Sequence, residues 1–239
     1  MKPRPDTMSD HLSKQFDLEL ESIRTHILEM GGLVESQLAK AIEAFATGNR
    51  EEMRRIIADD AKVNQFEIDI DAECTRLIAK RQPTARDLRL VLSISRIITD
   101  LERGGDKAVK IAKMSNNLYE NHKGQIPRLA DIRQCGQLAV HMLRRALDSL
   151  ARMDAESARA LIGDDQKIDD AFNGIMRQLI TYMMEDPRTI GEALDIVWIA
   201  KAIERVGDHA TNIAENVVYI VSGEDIRHLA PPTSDKQGA

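Results

Sequence analysis

An all-α fold of two tandem three-helix bundles, related by an internal repeat, is predicted by three features of the chain. The stretch Glu204 to Ala214 repeats Glu102 to Ala112 with seven identities in eleven positions, at an offset of 102, far above the fewer than about one match that average composition supplies. Aromatic residues make up 3% of the sequence against 43% apolar residues overall, so the core must be built from Leu, Ile, Val, Ala and Met, which suits helix-on-helix packing. Apolar residues also recur at steps of three and four over long stretches.

The elements follow in order. Met1 to Asp10, with Pro3 and Pro5, reads as a tail (1–10). From about His11 the stripe Phe16, Leu20, Ile23, Ile27, Met30, Val34, Leu38, Ile42 and Phe45 predicts a first long helix, ended by Gly48. Asn49 with Glu52 forms a capping box for a second helix that Met53, Ile56, Val63, Ile70, Cys74 and Leu77 carry to about Lys80. Pro83 then breaks the pattern, and Thr84 with Asp87 offers the start of a third helix with the stripe Leu88, Val91, Ile94, Ile98, Leu101, Gly105, Ala108 and Ala112. These three helices form a bundle over 11–121. Asn121 to Pro127 is the strongest linker signal, with the boundary at 122–126.

The second bundle, 127–222, repeats the plan. Ile132, Gly136, Leu138 and Ala146 match Ile27, Gly31, Leu33 and Ala41, and Asp164, Asp165 and Lys167 match Asp59, Asp60 and Lys62, all at an offset of 105. Asp154 is the N-cap of the fifth helix, Asp186-Pro187 ends it, and the sixth runs from about Arg188 to Val221. Residues 223–239 close the chain as a tail. Helices of about 25 to 38 residues span roughly 40 to 55 Å and, with short connections, pack up and down.

The repeated stretch carries the chemistry. Residues four apart share a helix face, so Glu102 and Asp106 project together, as do Glu204 and Asp208. Like charges at this spacing cost about 0.2 to 0.5 kcal/mol, and a cation relieves them. Asn212 and Glu215 extend the second pair into an oxygen-rich ridge, while Asp100 lies near the first. Asp69, Asp165 and Asp169, on the preceding helices, are candidates to complete a shell from across each bundle. Oxygen ligands of this kind suit hard divalent or trivalent ions such as Mg or Mn, with Fe or Zn where carboxylates bridge two metals. The competing reading pairs the same acids with Arg103, Arg205 or arginines of a neighbouring helix. Gly105 and Gly207, each costing about 1 kcal/mol in a helix interior, point to close approach of a neighbouring helix or a ligand. His209 points about 100° away from Asp208 and reads as a surface or interface histidine.

Other classes of function lose ground on composition. A net charge of −6 and few aromatics argue against a nucleic-acid binder. Cys74 and Cys135 form no CxxC pair and read as reduced thiols. The first ten residues have no signal-peptide core, and no apolar run reaches the roughly 18 residues of a membrane span; a cytoplasmic protein that meets the membrane only through protein partners is expected. No phosphate loop, nucleophile elbow, catalytic Cys/His context or ExxH pair is present, so the chain reads as non-enzymatic.

Taken together, Asp60-Ala61-Lys62-Val63-Asn64 with Ile68-Asp69, Arg81-Gln82-Pro83 with Arg86-Asp87-Leu88-Arg89, Ile98-Thr99-Asp100-Leu101-Glu102-Arg103 with Gly105-Asp106, and Ile203-Glu204-Arg205 with Gly207-Asp208-His209-Ala210-Thr211-Asn212-Ile213-Ala214-Glu215 resemble the PhoU family from about Phe16 to Gly223. The resemblance implies a regulator of phosphate uptake and a negative regulator of the phosphate-starvation (Pho) response. It also implies a homodimer that connects the ATPase subunit of a phosphate ABC transporter with a sensor histidine kinase. Metal ions would sit on E/DxxxD motifs in both halves, here Glu102 with Asp106 and Glu204 with Asp208. Lys110 stands where the family often has Asn, which makes the first copy the weaker of the two. An accessory subunit of another phosphate transporter, or a metal-dependent enzyme, is the alternative.

Overall fold

The computed structural model describes residues 6–121, 127 and 129–227. Among them are eight α-helices, one 3₁₀ turn and no strand: α1 Asp6–Thr47, α2 Arg50–Ala58, α3 Asp60–Arg81, α4 Ala85–Asn121, α5 Leu129–Arg152, α6 Ala155–Ile162, α7 Asp165–Glu185, the 3₁₀ turn Pro187–Thr189, and α8 Ile190–Ser222. The expected linker 122–126 and most of the C-terminal tail lie outside the described residues, and the chain leaves α8 at Gly223. At the N-terminal end the helix starts at Asp6, not near His11. It begins at the first residue after Pro5, the last position at which proline interrupts the pattern.

Local chemistry sets most boundaries. Gly48 at φ +68 ends α1, and the Asn49 side chain accepts from the Glu52 N–H at 3.1 Å to start α2. Asp154 accepts from the Glu156 and Ser157 N–H groups at the head of α6. The start of α4 uses the backbone instead, the Thr84 carbonyl accepting from Asp87 and Leu88. Gly223, at φ +75, closes α8.

The middle helix of each half is broken, where the repeat pattern predicted it continuous. Asp59 and Asp164 sit at ψ −1 and −14, and each carbonyl accepts from the residue three on, Lys62 and Lys167, in a tight 3₁₀-type turn. Two successive aspartates, poor helix formers that compete for backbone bonds, occupy the break in both halves. The first of each pair is held by the same lysine, Lys62 on Asp59 at 2.8 Å and Lys167 on Asp164 at 2.6 Å. The second, Asp60 or Asp165, is left half-buried.

The two halves share one core. α1, α4, α5 and α8 pack together, with α4 against α8 the most extensive contact; α2 and α3 cover α4 and α1 on one flank, and α6 and α7 cover α8 and α5 on the other. A pseudo-twofold relates the halves, and the contact of α1 with α5 shows it directly. A Cβ built on Gly31 would meet Leu147, and one built on Gly136 would meet Ile42 at 2.7 Å. Gly136 and Leu147 are the repeat mates of Gly31 and Ile42 at the offset of 105, so each contact is the other with its partners exchanged. Glu35 with Arg144 and Glu43 with Arg133 flank this seam.

Space at Gly136 separates it from Gly32, where a Cβ would meet nothing within 4 Å. Gly32→Ala is expected to stabilise the protein by up to about 1 kcal/mol through helix propensity, whereas Gly136→Ala, driven into three atoms of the stiff Ile42 side chain, is expected to cost about 1–3 kcal/mol. Denaturant unfolding of the two variants measures both, and equal effects would refute the close packing of α1 on α5.

Candidate metal centres

Close helix approach brings acids from two helices together in each half. A Cβ on Gly105 would lie 3.2 Å from Val63, and one on Gly207 would lie 3.0 Å from Ile168 and 3.2 Å from Asp165 Oδ1. The paired glycines therefore serve the neighbouring helix, α3 in one half and α7 in the other. Because the helix break precedes Asp60 and Asp165, these carboxylates face the motif acids of α4 and α8.

In the first cluster Glu102 and Asp106 of α4 meet Asp60 and Glu67 of α3. Burial, then Asp106, Glu67 and Asp60, push the Glu102 carboxyl above its ordinary range. Burial and Asp106 push Asp60 up as well, with Lys113 opposing. In the second cluster Asp165 and Asp169 of α7 meet Glu204 and Asp208 of α8. Burial, with Asp208 and Asp169, raises Asp165 to about 6. Each cluster also holds one buried carboxylate oxygen with no hydrogen-bond partner, Asp60 Oδ1 in the first and Glu204 Oε2 in the second.

Cations already attend the second cluster. Lys201 pairs with Glu204, and Arg205 lies 2.8 Å from Asp208 Oδ2 and 3.8 Å from Glu204 Oε2, the pairing that competes with metal in the sequence. Among the described residues no three His, Cys, Asp or Glu side chains are gathered so as to hold a metal ion. The arrangement is a pair of acid clusters under electrostatic strain, with Lys201 and Arg205 relieving one of them.

The other residues singled out in the sequence are placed elsewhere. Asn212 and Glu215 do not continue the ridge of Glu204 and Asp208. Asn212 Nδ2 donates to Asp100 Oδ1 at 3.0 Å, and His209 Nδ1 lies 2.9 Å from the same oxygen. Asp100 is thus buried between the halves and faces α8, away from Glu102 and Asp106. Four residues along a helix advance by 400°, so each further step turns the row by about 40°, and by Asn212 it has reached the α4 interface. His209 is buried at that interface. Glu215 lines a groove with Arg96, Arg103 and Arg227. Asp69 is exposed, receives a hydrogen bond from Gln65 at 2.9 Å, and lies beside His26 and Glu73 on another face. Sequence reasoning did bring Asp165 and Asp169 to the second cluster; it missed Asp60 and Glu67 as members of the first. The signal for Asp60 was available, since it is the repeat mate of Asp165. Cys74 and Cys135 are buried thiols, pushed up by burial to about 12 and about 11.

A pH dependence follows from Asp165. Its folded value of about 6 exceeds the ordinary aspartate value of 3.8, so the folded protein binds the extra proton between those limits, and stability is lost as pH rises through them. In EDTA, Asp165→Asn is expected to raise the melting temperature by a few degrees at about pH 7.5, with the gain vanishing towards about pH 4. A gain of equal size at both pH values would show that the effect is not the ionisation of Asp165.

The PhoU domain matches the chain twice, at residues 27–115 and 132–217, once in each half. The chain is 45% identical over 230 residues to the phosphate-specific transport system accessory protein PhoU of Escherichia coli, covering 96% of this chain and 94% of that one. It is 44% identical over 225 residues to the homologue from Pseudomonas aeruginosa, covering 94% and 92%. The crystal structure of PhoU from Pseudomonas aeruginosa superposes with a TM-score of 0.84 at 44% identity, covering 87% of this chain and all of that one. That of the phosphate transport system regulatory protein PhoU from Streptococcus pneumoniae gives 0.80 at 33% identity, covering 88% and 98%. These relatives are named as accessory and regulatory proteins, not enzymes, and with both halves matched and both structures alike, this chain belongs to the PhoU family.

Proposed function

We propose that this protein is an accessory protein of a phosphate-specific transport system that holds the phosphate-starvation response off while phosphate is ample. It does so as an adaptor between the ATPase subunit of the transporter and a membrane sensor histidine kinase. The observation that carries this reading is the match of the PhoU domain to both halves together with relatives at 44–45% identity named for that transport system. No described helix is long and apolar enough to cross a membrane. On this reading the protein works at the cytoplasmic face, as a homodimer, and reaches the membrane through its partners.

Metal ions are the second part of the reading. The motif pairs Glu102 with Asp106 and Glu204 with Asp208 would hold divalent or trivalent ions of the Mg, Mn, Fe or Zn class, and binding would have to draw Asp60 and Asp165 inward to complete each shell. The support is physical: half-buried carboxylates with raised proton affinity and one buried, unbonded oxygen in each cluster suit a hard cation. A bound ion would supply positive charge that neutralises the acids and ties α3 to α4 and α7 to α8.

Deletion of the gene is expected to give constitutive expression of phosphate-starvation genes in high phosphate. Impaired uptake without derepression would instead favour an accessory subunit of a different transporter. For the metal, elemental analysis of protein purified without chelator or affinity-tag metal is expected to show bound ions, with the content reduced at least by half in an Asp106→Ala/Asp208→Ala double variant. Equal content in the two proteins would remove the assignment.

A further inference from the structure

A cleft of about 360 Å³ opens between α4 and α8, lined by Lys107, Lys110, Lys113, Trp198, Lys201 and Arg205. In a chain of net charge −6, this concentrates five cations against two carboxylates, Asp60 and Asp106, on its walls. A volume of this size lies within the range of small-ligand sites.

The pseudo-twofold supplies a control within the same molecule. At the offset of 102, Lys107, Lys110 and Lys113 correspond to His209, Asn212 and Glu215, and Trp198, Ala202 and Arg205 correspond to Arg96, Asp100 and Arg103. All of these mates but His209 line a second groove on the other side of the α4–α8 crossing. There His209 and Asn212 are both bonded to Asp100. In the first cleft the place of Asp100 is taken by the buried Ala202, so Lys107 and Lys110 lack the acid that His209 and Asn212 share. Among the described residues none of the three lysines makes an ion pair; Lys110 instead lies over the Trp198 ring, 5.1 Å from its centroid. Trp198 is 51% exposed, unusual for the largest apolar side chain.

We propose that this cleft binds the polyphosphate group of a small anion. Lys107, Lys110 and Lys113 form a row that advances roughly 9 Å along α4 at 1.5 Å per residue, a length that matches successive phosphates better than a single one. Lysine ammonium groups serve such groups as point charges. Trp198 offers a ring beside them for the organic part of a nucleotide, while inorganic pyrophosphate would use the lysines alone.

Trp198 is the one tryptophan of the chain, so its fluorescence reports on this cleft directly. Titration of the full-length protein with pyrophosphate and, separately, with ATP, in EDTA at constant ionic strength, is expected to give a saturable change with at least one of the two. Tighter binding of ATP identifies a nucleotide; equal or tighter binding of pyrophosphate identifies the inorganic chain. Working in EDTA makes the outcome independent of metal binding at the carboxylate clusters. Lys113→Gln, at an exposed position, is expected to weaken binding roughly tenfold, and Lys107→Gln/Lys113→Gln further. Arg96→Gln/Arg103→Gln, in the mate groove, is expected to leave it unchanged. The proposal is overturned by the absence of a saturable change, by the same change with sodium chloride alone, or by wild-type affinity in folded Lys107→Gln/Lys113→Gln.

Discussion

The packing of α4 against α8 fixes the position of everything else in the molecule. Both helices bury small and branched apolar residues along their length, among them Ile97, Leu101, Ala108, Ala202, Val206 and Ala210. Buried apolar area of this kind contributes about 25 cal/mol per Å², and helices without bulky aromatics can approach closely. Asp100 with His209 and Asn212 sets a buried carboxylate within the contact. Buried charge without such partners would cost several kcal/mol, so this trio also selects one register of α4 on α8.

Once that register is set, the outer helices bring a second demand. α3 and α7 reach α4 and α8 where Gly105 and Gly207 leave room, and they carry acids towards acids. Four of these carboxylates lie in each half across two helices, and burial raises the proton affinity of Asp60, Glu102 and Asp165. Native packing thus holds a repulsion that the rest of the fold must outweigh. The second half offsets part of it with Lys201 and Arg205, both of which also line the cleft beside Trp198. The same two side chains therefore stand between the carboxylate cluster and the basic cleft.

Much of this architecture was legible in the sequence because repeat and periodicity are properties of the chain itself. The offset of 105 already paired Asp59-Asp60 with Asp164-Asp165, and the structure shows what the pair does: it breaks a helix and turns the second acid inward. What the sequence did not reveal was the rotation of the row Glu204, Asp208, Asn212 about its axis. Straight rows of four drift around a helix, so a ridge drawn on paper runs out of one environment into another. Asn212 and Asp100 consequently belong to the contact between halves. Lys110, which read as a flaw in the first metal motif, is the mate of Asn212 and likewise lies at the α4–α8 cleft. Side-chain positions that depend on which neighbour a helix face meets are set by tertiary contact and leave no trace in local spacing.

The exchange of partners between Gly31 with Leu147 and Gly136 with Ile42 has a consequence for how many ligands or partners the molecule can engage. An interface of this form joins identical subunits in a homodimer, where any substitution appears twice and every groove has a twin. Here the two copies are covalently fused and inherited as one chain, so Asp100 could be kept on one side while Ala202 took its place on the other. Symmetry of the backbone is thereby combined with inequality of the surface, giving the molecule a front and a back. A ligand that recognises the basic side binds once per chain, and a partner that recognises it meets the protein in a single orientation.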